Sequence, residues 1–455
     1  MANRAGQPNQ AQLASMLAGA TELKSRILFV LGILIVYRLG THIPLPGIDA
    51  YALAQYQSQL QNGVLGMFNM FTGGAFARMS VFALNVMPYI TASIIMQLMT
   101  TVSPQLAELK KEGETGRRKI NQYTRYFTVL LACVQGFGLA AGMEGATVQV
   151  ANESMNVVAN GGMMFRLQTA LTLMTGTMFV MWLGEQINSR GIGNGISIII
   201  FAGIVAELPR ALFQTFELAS AGSLSPLMVA GIFALVILVM GFVVFVETAM
   251  RKVPIQYPKR QMIGGMTGGT PEVSHMPMKL NTAGVIPAIF ASSLLLLPMS
   301  IANFNPEAPW AQWVGVWFAP GKPLWTAFFV SLIVFFCFFY TAIVFNPDET
   351  ADNLKKSGGF IPGIRPGKST AVYLDFMMTR LTVIGAAYMS FVCVLPEIIN
   401  SQLTVPFYLG GTSILIVVSV TIDLITRVQS HLIAQRYESL LKKSPLAGRK
   451  AKGTA

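Results

Sequence analysis

The chain has 455 residues, of which 53% are apolar and only 11% charged, and its mean hydropathy is +0.56. Soluble domains carry about 25% charged residues, so the charges here are too few to cover a water-facing surface, and a soluble enzyme is excluded. Lys and Arg number 32 against 20 Asp and Glu, and the net charge of +12 must sit in loops facing something anionic. The apolar residues gather in long runs separated by short charged breaks, the pattern of a polytopic membrane protein.

In chain order, residues 1–25 form a polar tail without the apolar core of a cleavable signal peptide, so they are expected to be retained. Segments of the roughly 20 apolar residues that a membrane helix needs then fall near 26–43, 80–101, 123–142, 164–186, 194–212, 225–246, 282–300, 323–345, 379–397 and 409–427. The fifth is the weakest, because Pro209 and Arg210 crowd its end. Ten spans place both termini on one side. Of the Lys and Arg residues, all but Arg38, Arg78, Arg166, Arg210 and Lys322 fall on that side, which the positive-inside rule makes cytoplasmic. The chain thus divides into a tail 1–25, a first half 26–212, a second half 213–427 and a tail 428–455. Five spans per half would invert one half relative to the other, although no sequence repeat supports this by itself.

Three segments break the regular pattern. The apolar stretch 63–78 contains Gly73-Gly74 and is too short to cross a bilayer about 30 Å thick at 1.5 Å per residue. It either re-enters within protein or lies as a helix at the interface. The loops 247–281 and 346–377 are far longer than adjacent helices require. The first carries Arg251, Lys252, Lys259 and Arg260, and the second sets Arg365 between Gly363 and Pro366 in an exposed turn. Positive-inside topology explains their charge but not their length, so docking of an anionic partner such as RNA, acidic protein or lipid headgroups is the competing reading.

Other features limit the chemistry. The candidate membrane acids Glu185, Glu247 and Asp423 sit at predicted cytoplasmic ends, where water reaches them, and Arg38 is placed to snorkel. A solute carrier would need an ionisable pair at mid-membrane, and an intramembrane hydrolase a nucleophile–base set; neither is evident, nor is a phosphate-binding loop. Cys133, Cys337 and Cys393 read as core hydrophobes, and His42, His275 and His431 are scattered, so no metal or other cofactor is expected. The 26 methionines, among them Met67, Met70, Met87 and Met96, suit either gap filling or a surface that repacks around varied partners.

Several longer motifs go beyond hydrophobicity. The runs PLPGIDA (44–50), MFNMFTGG (67–74), MPYITASIIMQL (87–98), LKKEGETGRRKINQYTRY (109–126), RGIGNGISIIIFAGI (190–204), AGVIPAIFASS (283–293), NPDETADNLKKSGGFIPGIRPG (346–367) and PFYLGGTS (406–413) resemble the SecY family, the central subunits of the bacterial protein-conducting channel. So does GTMFVMWLGEQI (176–187), and the match holds in order over about 22–445.

The resemblance implies an all-α polytopic protein with ten transmembrane helices in two inverted five-helix halves around an hourglass pore. It turns 63–78 into a re-entrant plug, including Met67, Phe68, Asn69, Met70, Phe71, Gly73 and Gly74. It maps a pore ring onto Val86, Ile90, Ile196, Ile200, Ile289 and Ile416, and it places Gln97 at a lateral gate between spans two and three and spans seven and eight. Arg365, Lys259 and Arg260 become docking residues, although the glycine-rich MIGGMTGGTPE after Lys259-Arg260-Gln261 departs from the second arginine pair of many relatives. The implied function is passive passage of unfolded secretory chains across, or membrane segments into, the bacterial inner membrane. The implied partners are SecE, SecG, the SecA ATPase, the ribosome with its RNA, signal peptides, nascent polypeptides and anionic phospholipids.

Overall fold

The computed structural model describes residues 21–49, 52–53, 55, 69–145, 147–150, 153–159, 161–222, 225–257, 273–302, 308–317, 322–402 and 410–443. Each of the ten expected spans is matched by a helix. These are α1 (Thr21–Gly40), α2 (Met87–Val102), α4 (Glu114–Glu144), α5 (Met163–Arg190), α6 (Gly195–Ser220), α7 (Pro226–Thr248), α8 (Ile286–Ala302), α10 (Pro323–Val344), α12 (Lys368–Gln402) and α13 (Gly411–Lys443). Three short helices join them: α3 (Pro104–Lys111), α9 (Pro309–Trp317) and α11 (Pro347–Lys356). Two antiparallel hairpins complete the described chain, β1 (Thr147–Val150) with β2 (Glu153–Asn156) and β3 (Met250–Gln256) with β4 (Val273–Lys279).

Helix starts follow local chemistry. Proline, whose missing N–H costs nothing in a first turn, opens α2, α3, α7, α10 and α11. Asn194, Ser225 and Asn346 accept hydrogen bonds from the next exposed amides of α6, α7 and α11. Pro209 lies inside α6, which runs on to Ser220, past the expected end of the fifth span at 212. In α7, Val239, Val243 and Val246 face inward at helical spacing, whereas Leu238 and Phe245 are exposed. A helix that is apolar on all sides in this way has lipid as its outer neighbour.

Seven of the ten helices are long and apolar enough to cross a membrane by length and composition. The helix α1 carries Lys24, Arg26 and Arg38, while α2 and α8 are the short apolar ones. Sixteen residues of α2 span only about 24 Å, because 80–86, expected to open the second span, is a series of turns. Helices α2 and α4 pack together and both meet α8, while α6 meets α7 and α13. One apolar cluster runs through these contacts. Cys337 and Cys393 belong to it, but Cys133 is exposed on α4, contrary to its reading as a core residue.

Candidate channel seal and docking face

The segment 69–86 is almost wholly buried although most of it is not helical. Backbone without helical hydrogen bonds survives at membrane depth only when protein supplies the partners, and here it does. Asn69 Oδ1 accepts from Ala77 N at 2.8 Å, and Thr72 Oγ1 accepts from Phe76 N at 3.1 Å. Asn85, at φ +49° where asparagine is better tolerated than most residues, donates through Nδ2 to Phe71 O and to Tyr37 Oη, both at 3.1 Å. The carbonyl of Gly73 accepts two guanidinium N–H groups, from Arg38 Nη1 and Arg78 Nη2, each at 2.8 Å. Arg78 also donates to Thr41 O at 3.3 Å and stands 4.0 Å from Glu207.

Close backbone contact explains the glycines. Gly73 has φ +65°, and a Cβ there would stand 2.8 Å from Gly203 Cα; one on Gly203 would stand 3.1 Å from Phe71 O. The Gly73-Gly74 pair, expected as a flexible break, is therefore pressed against α6 and hydrogen-bonded. On the other side, Ser413 Oγ at the start of α13 donates to Met70 Sδ at 3.4 Å. Elements from both ends of the chain thus hold 69–79. Met67 and Phe68 lie outside the described residues.

The six aliphatic positions assigned to a ring fall in one region. Val86, Ile90, Ile200, Ile289 and Ile416 are buried members of the large apolar cluster, which also contains Met70 and Phe71, and Ile196 is partly buried against it. The same cluster continues to Phe329 and Val243, so membership alone gives none of the six a role. Val86 is not within the second helix but caps it. Gln97 is half-buried on α2 and donates to Ser93 Oγ of its own helix at 3.3 Å. Among the described residues, a polar contact between α2 and α8 is made instead by Ser293 Oγ to Met87 Sδ, at 3.8 Å.

At the opposite end the two long loops join. The 247–281 loop contains the β3–β4 hairpin, with Val253 opposite Met276. Gln256 and Phe360 exchange backbone hydrogen bonds of 2.9 and 3.0 Å, tying the hairpin to the 346–377 loop. Val253, Met278 and Ile361 pack with Leu374, Met377, Met378 and Leu381 of α12. Arg251, Lys252 and Arg365 remain exposed, and among the described residues none pairs with a carboxylate. Gly363 (φ +83°) and Gly367 (φ +107°) bracket Arg365, whose carbonyl accepts from Thr370 Oγ1 at 2.9 Å. Lys259 and Arg260 lie outside the described residues.

Several expectations need correction. Arg38 does not snorkel; its guanidinium is spent on Gly73. Glu207, overlooked among the membrane acids, sits midway along α6 with its side chain 16% exposed. Glu207 faces Arg78 at 4.0 Å, but Arg78 lies outside every span and the pair closes on the buried segment, so it is not the mid-membrane pair a carrier would need. Glu397 of α12 is another buried acid that was missed. Glu247 is half-buried and accepts from Asn281 Nδ2 at 2.8 Å, rather than standing free in water. Tyr37, Asn85 and Gly203 were missed too. The usable signal was a charged residue inside each of two apolar runs, Arg38 and Glu207, which normally requires a partner.

A helical bundle with a buried non-helical segment between both ends of the chain, and an exposed basic face at one end, defines a polytopic membrane protein. Within that class the SecY family model matches residues 80–425, and the chain belongs to the SecY family. It is 53% identical over 433 residues to the protein translocase subunit SecY of Escherichia coli K12, covering 94% of this chain and 96% of that one. Two solved structures share the fold. One is of a SecY protein whose plug domain is described as stabilising the closed translocation channel and maintaining a membrane seal (TM-score 0.64, 17% identity, 90% and 92% of the two chains). The other is Sec61 in the canine ribosome–channel complex from the endoplasmic reticulum (TM-score 0.61, 15% identity, 90% and 92%).

Proposed function

We propose that this chain forms a passive channel for unfolded polypeptides across the bacterial cytoplasmic membrane, with both termini cytoplasmic. The observation that carries the reading is the segment 69–79, buried between α1, α6 and the start of α13 and abutting the aliphatic cluster. A plug and a collar account for both features. In this reading the halves 26–212 and 213–427 flank the pore, and 63–78 is the plug. Val86, Ile90, Ile196, Ile200, Ile289 and Ile416 form the collar. Aliphatic side chains exclude water when the pore is idle and make no directional bonds to hold a passing chain. The contacts of α2 and α4 with α8 are where the wall would part to release apolar segments into lipid, with Gln97 near that seam.

The chain itself carries no nucleotide-binding motif, so energy comes from an attached ribosome or the SecA motor. The joined loops with Arg251, Lys252, Arg365 and, beyond the described residues, Lys259 and Arg260 are the docking face. SecE and SecG complete the assembly. The test is Ile90, Ile196 and Ile289 replaced together by Ser in the reconstituted complex. A steady ion leak in planar bilayers is expected, larger when 69–76 is also deleted. An assembled triple variant as ion-tight as the wild type would remove these positions from the pore.

A further inference from the structure

Three of the chain's five tryptophans lie in the nine-residue helix α9, PWAQWVGVW. At 100° per residue Trp310, Trp313 and Trp317 fall within an arc of about 60°. They are 48%, 53% and 49% exposed, and Val316 beside them is 60% exposed. Ala311 is buried, and α9 packs on α8. The helix has no charged residue. Three exposed indoles in one arc are a poor surface for water.

The connections say what covers them. Helix α8 leads away from the β3–β4 hairpin and α10 leads back toward α11, so α9 lies at the bundle end opposite the basic face. Only residues 303–308 separate α9 from α8, and 318–322 separate it from α10. Such links reach at most roughly 20 Å, and α9 packs on α8, so α9 stays beside the end of α8. The next helix, α10, presents an outward apolar row of its own through Leu324, Phe328 and Phe335, respectively 40%, 46% and 53% exposed. Both helices thus show apolar side chains on the outside of the bundle, where lipid is the neighbour. Indole, with an apolar body and one N–H donor, favours the headgroup layer.

We propose that α9 is an interfacial anchor: Trp310, Trp313 and Trp317 lie in the headgroup layer of the leaflet opposite the basic face. They tie the end of α8 to lipid. This rests on the membrane-spanning fold and not on the channel reading. Because α8 also contacts α2 and α4, the anchor would make its position sensitive to that leaflet.

The test uses the full chain in phosphatidylcholine nanodiscs. Emission of the Trp182→Phe/Trp325→Phe variant is compared with that of the same variant further carrying Trp310→Phe, Trp313→Phe and Trp317→Phe. The difference isolates α9. Lipids brominated just below the headgroups should remove about half of that difference emission, more than lipids brominated near the chain ends, whereas aqueous acrylamide removes little. If the fivefold variant fails to assemble, Trp313→Phe alone supplies a difference of the same kind. Emission insensitive to brominated lipid overturns the proposal, whether acrylamide quenches it, meaning water, or does not, meaning that another protein chain or a second copy covers the arc.

Discussion

Arginine serves two opposite ends of this molecule, and burial decides what it does at each. Around 69–86, Arg38 and Arg78 are drawn into the protein, where both donate to one carbonyl and Arg78 faces Glu207. On the joined loops, Arg251 and Arg365 stand in solvent without a carboxylate partner among the described residues. The first arrangement consumes its charge inside the fold and so can position a segment. The second leaves its charge available to something outside. Composition, which counts the two kinds together in a net +12, cannot separate them.

Substitutions at the two ends should therefore fail differently. Arg365→Glu is expected to have the largest effect on partner binding. Losing a charged contact that becomes buried on docking costs about 2–5 kcal/mol, so SecA- or ribosome-driven export should drop in inverted vesicles while abundance and ion tightness stay normal. Wild-type export would return the loop to a merely topological role. Gly203→Val should act at the other end, because its side chain meets Phe71 O and the Gly73 backbone. Overpacking of this kind costs about 3 kcal/mol at its upper range. It should raise idle conductance with partner binding unchanged. Arg78→Ala should do the same more weakly. A hydrogen bond from a charged donor contributes about 1.5–3 kcal/mol, and the side chain is 27% exposed, which puts the loss near the lower figure, or roughly tenfold in the closed-to-open ratio. Conductance equal to wild type in both variants would mean that these contacts do not hold the segment.

The helices were legible because hydropathy and length are local. Proline starts, the outward faces of α7 and the inability of 63–78 to cross all follow from neighbours in sequence. The seat of 69–86 was not legible from those rules. It depends on Asn85 in a left-handed conformation, on a tyrosine in α1 that is 48 residues away, and on two glycines brought together from distant segments. Family resemblance named the segment without giving the residues that hold it. The β3–β4 hairpin was missed for a related reason. Its strands are basic and each carries a proline, and only their pairing with each other, the bridge to Phe360 and packing on α12 distinguish them from loop. Glu207 was legible in principle, since an acid inside an apolar run demands a partner, but its partner Arg78 lies outside any span.

A plug at 69–79, as proposed above, must leave its seat for a polypeptide to pass. Met70 and Ser413 touch across that seat at 3.4 Å. With Cys133, Cys337 and Cys393 replaced by Ala, the Met70→Cys/Ser413→Cys variant can be closed by oxidation or a short bis-alkylating reagent. Translocation of a presecretory substrate by the locked complex should stop, and reduction should restore it in the oxidised sample while the alkylated one stays blocked. Translocation at the unlocked rate, with the cross-link shown to be complete, would mean that 69–79 does not block the path.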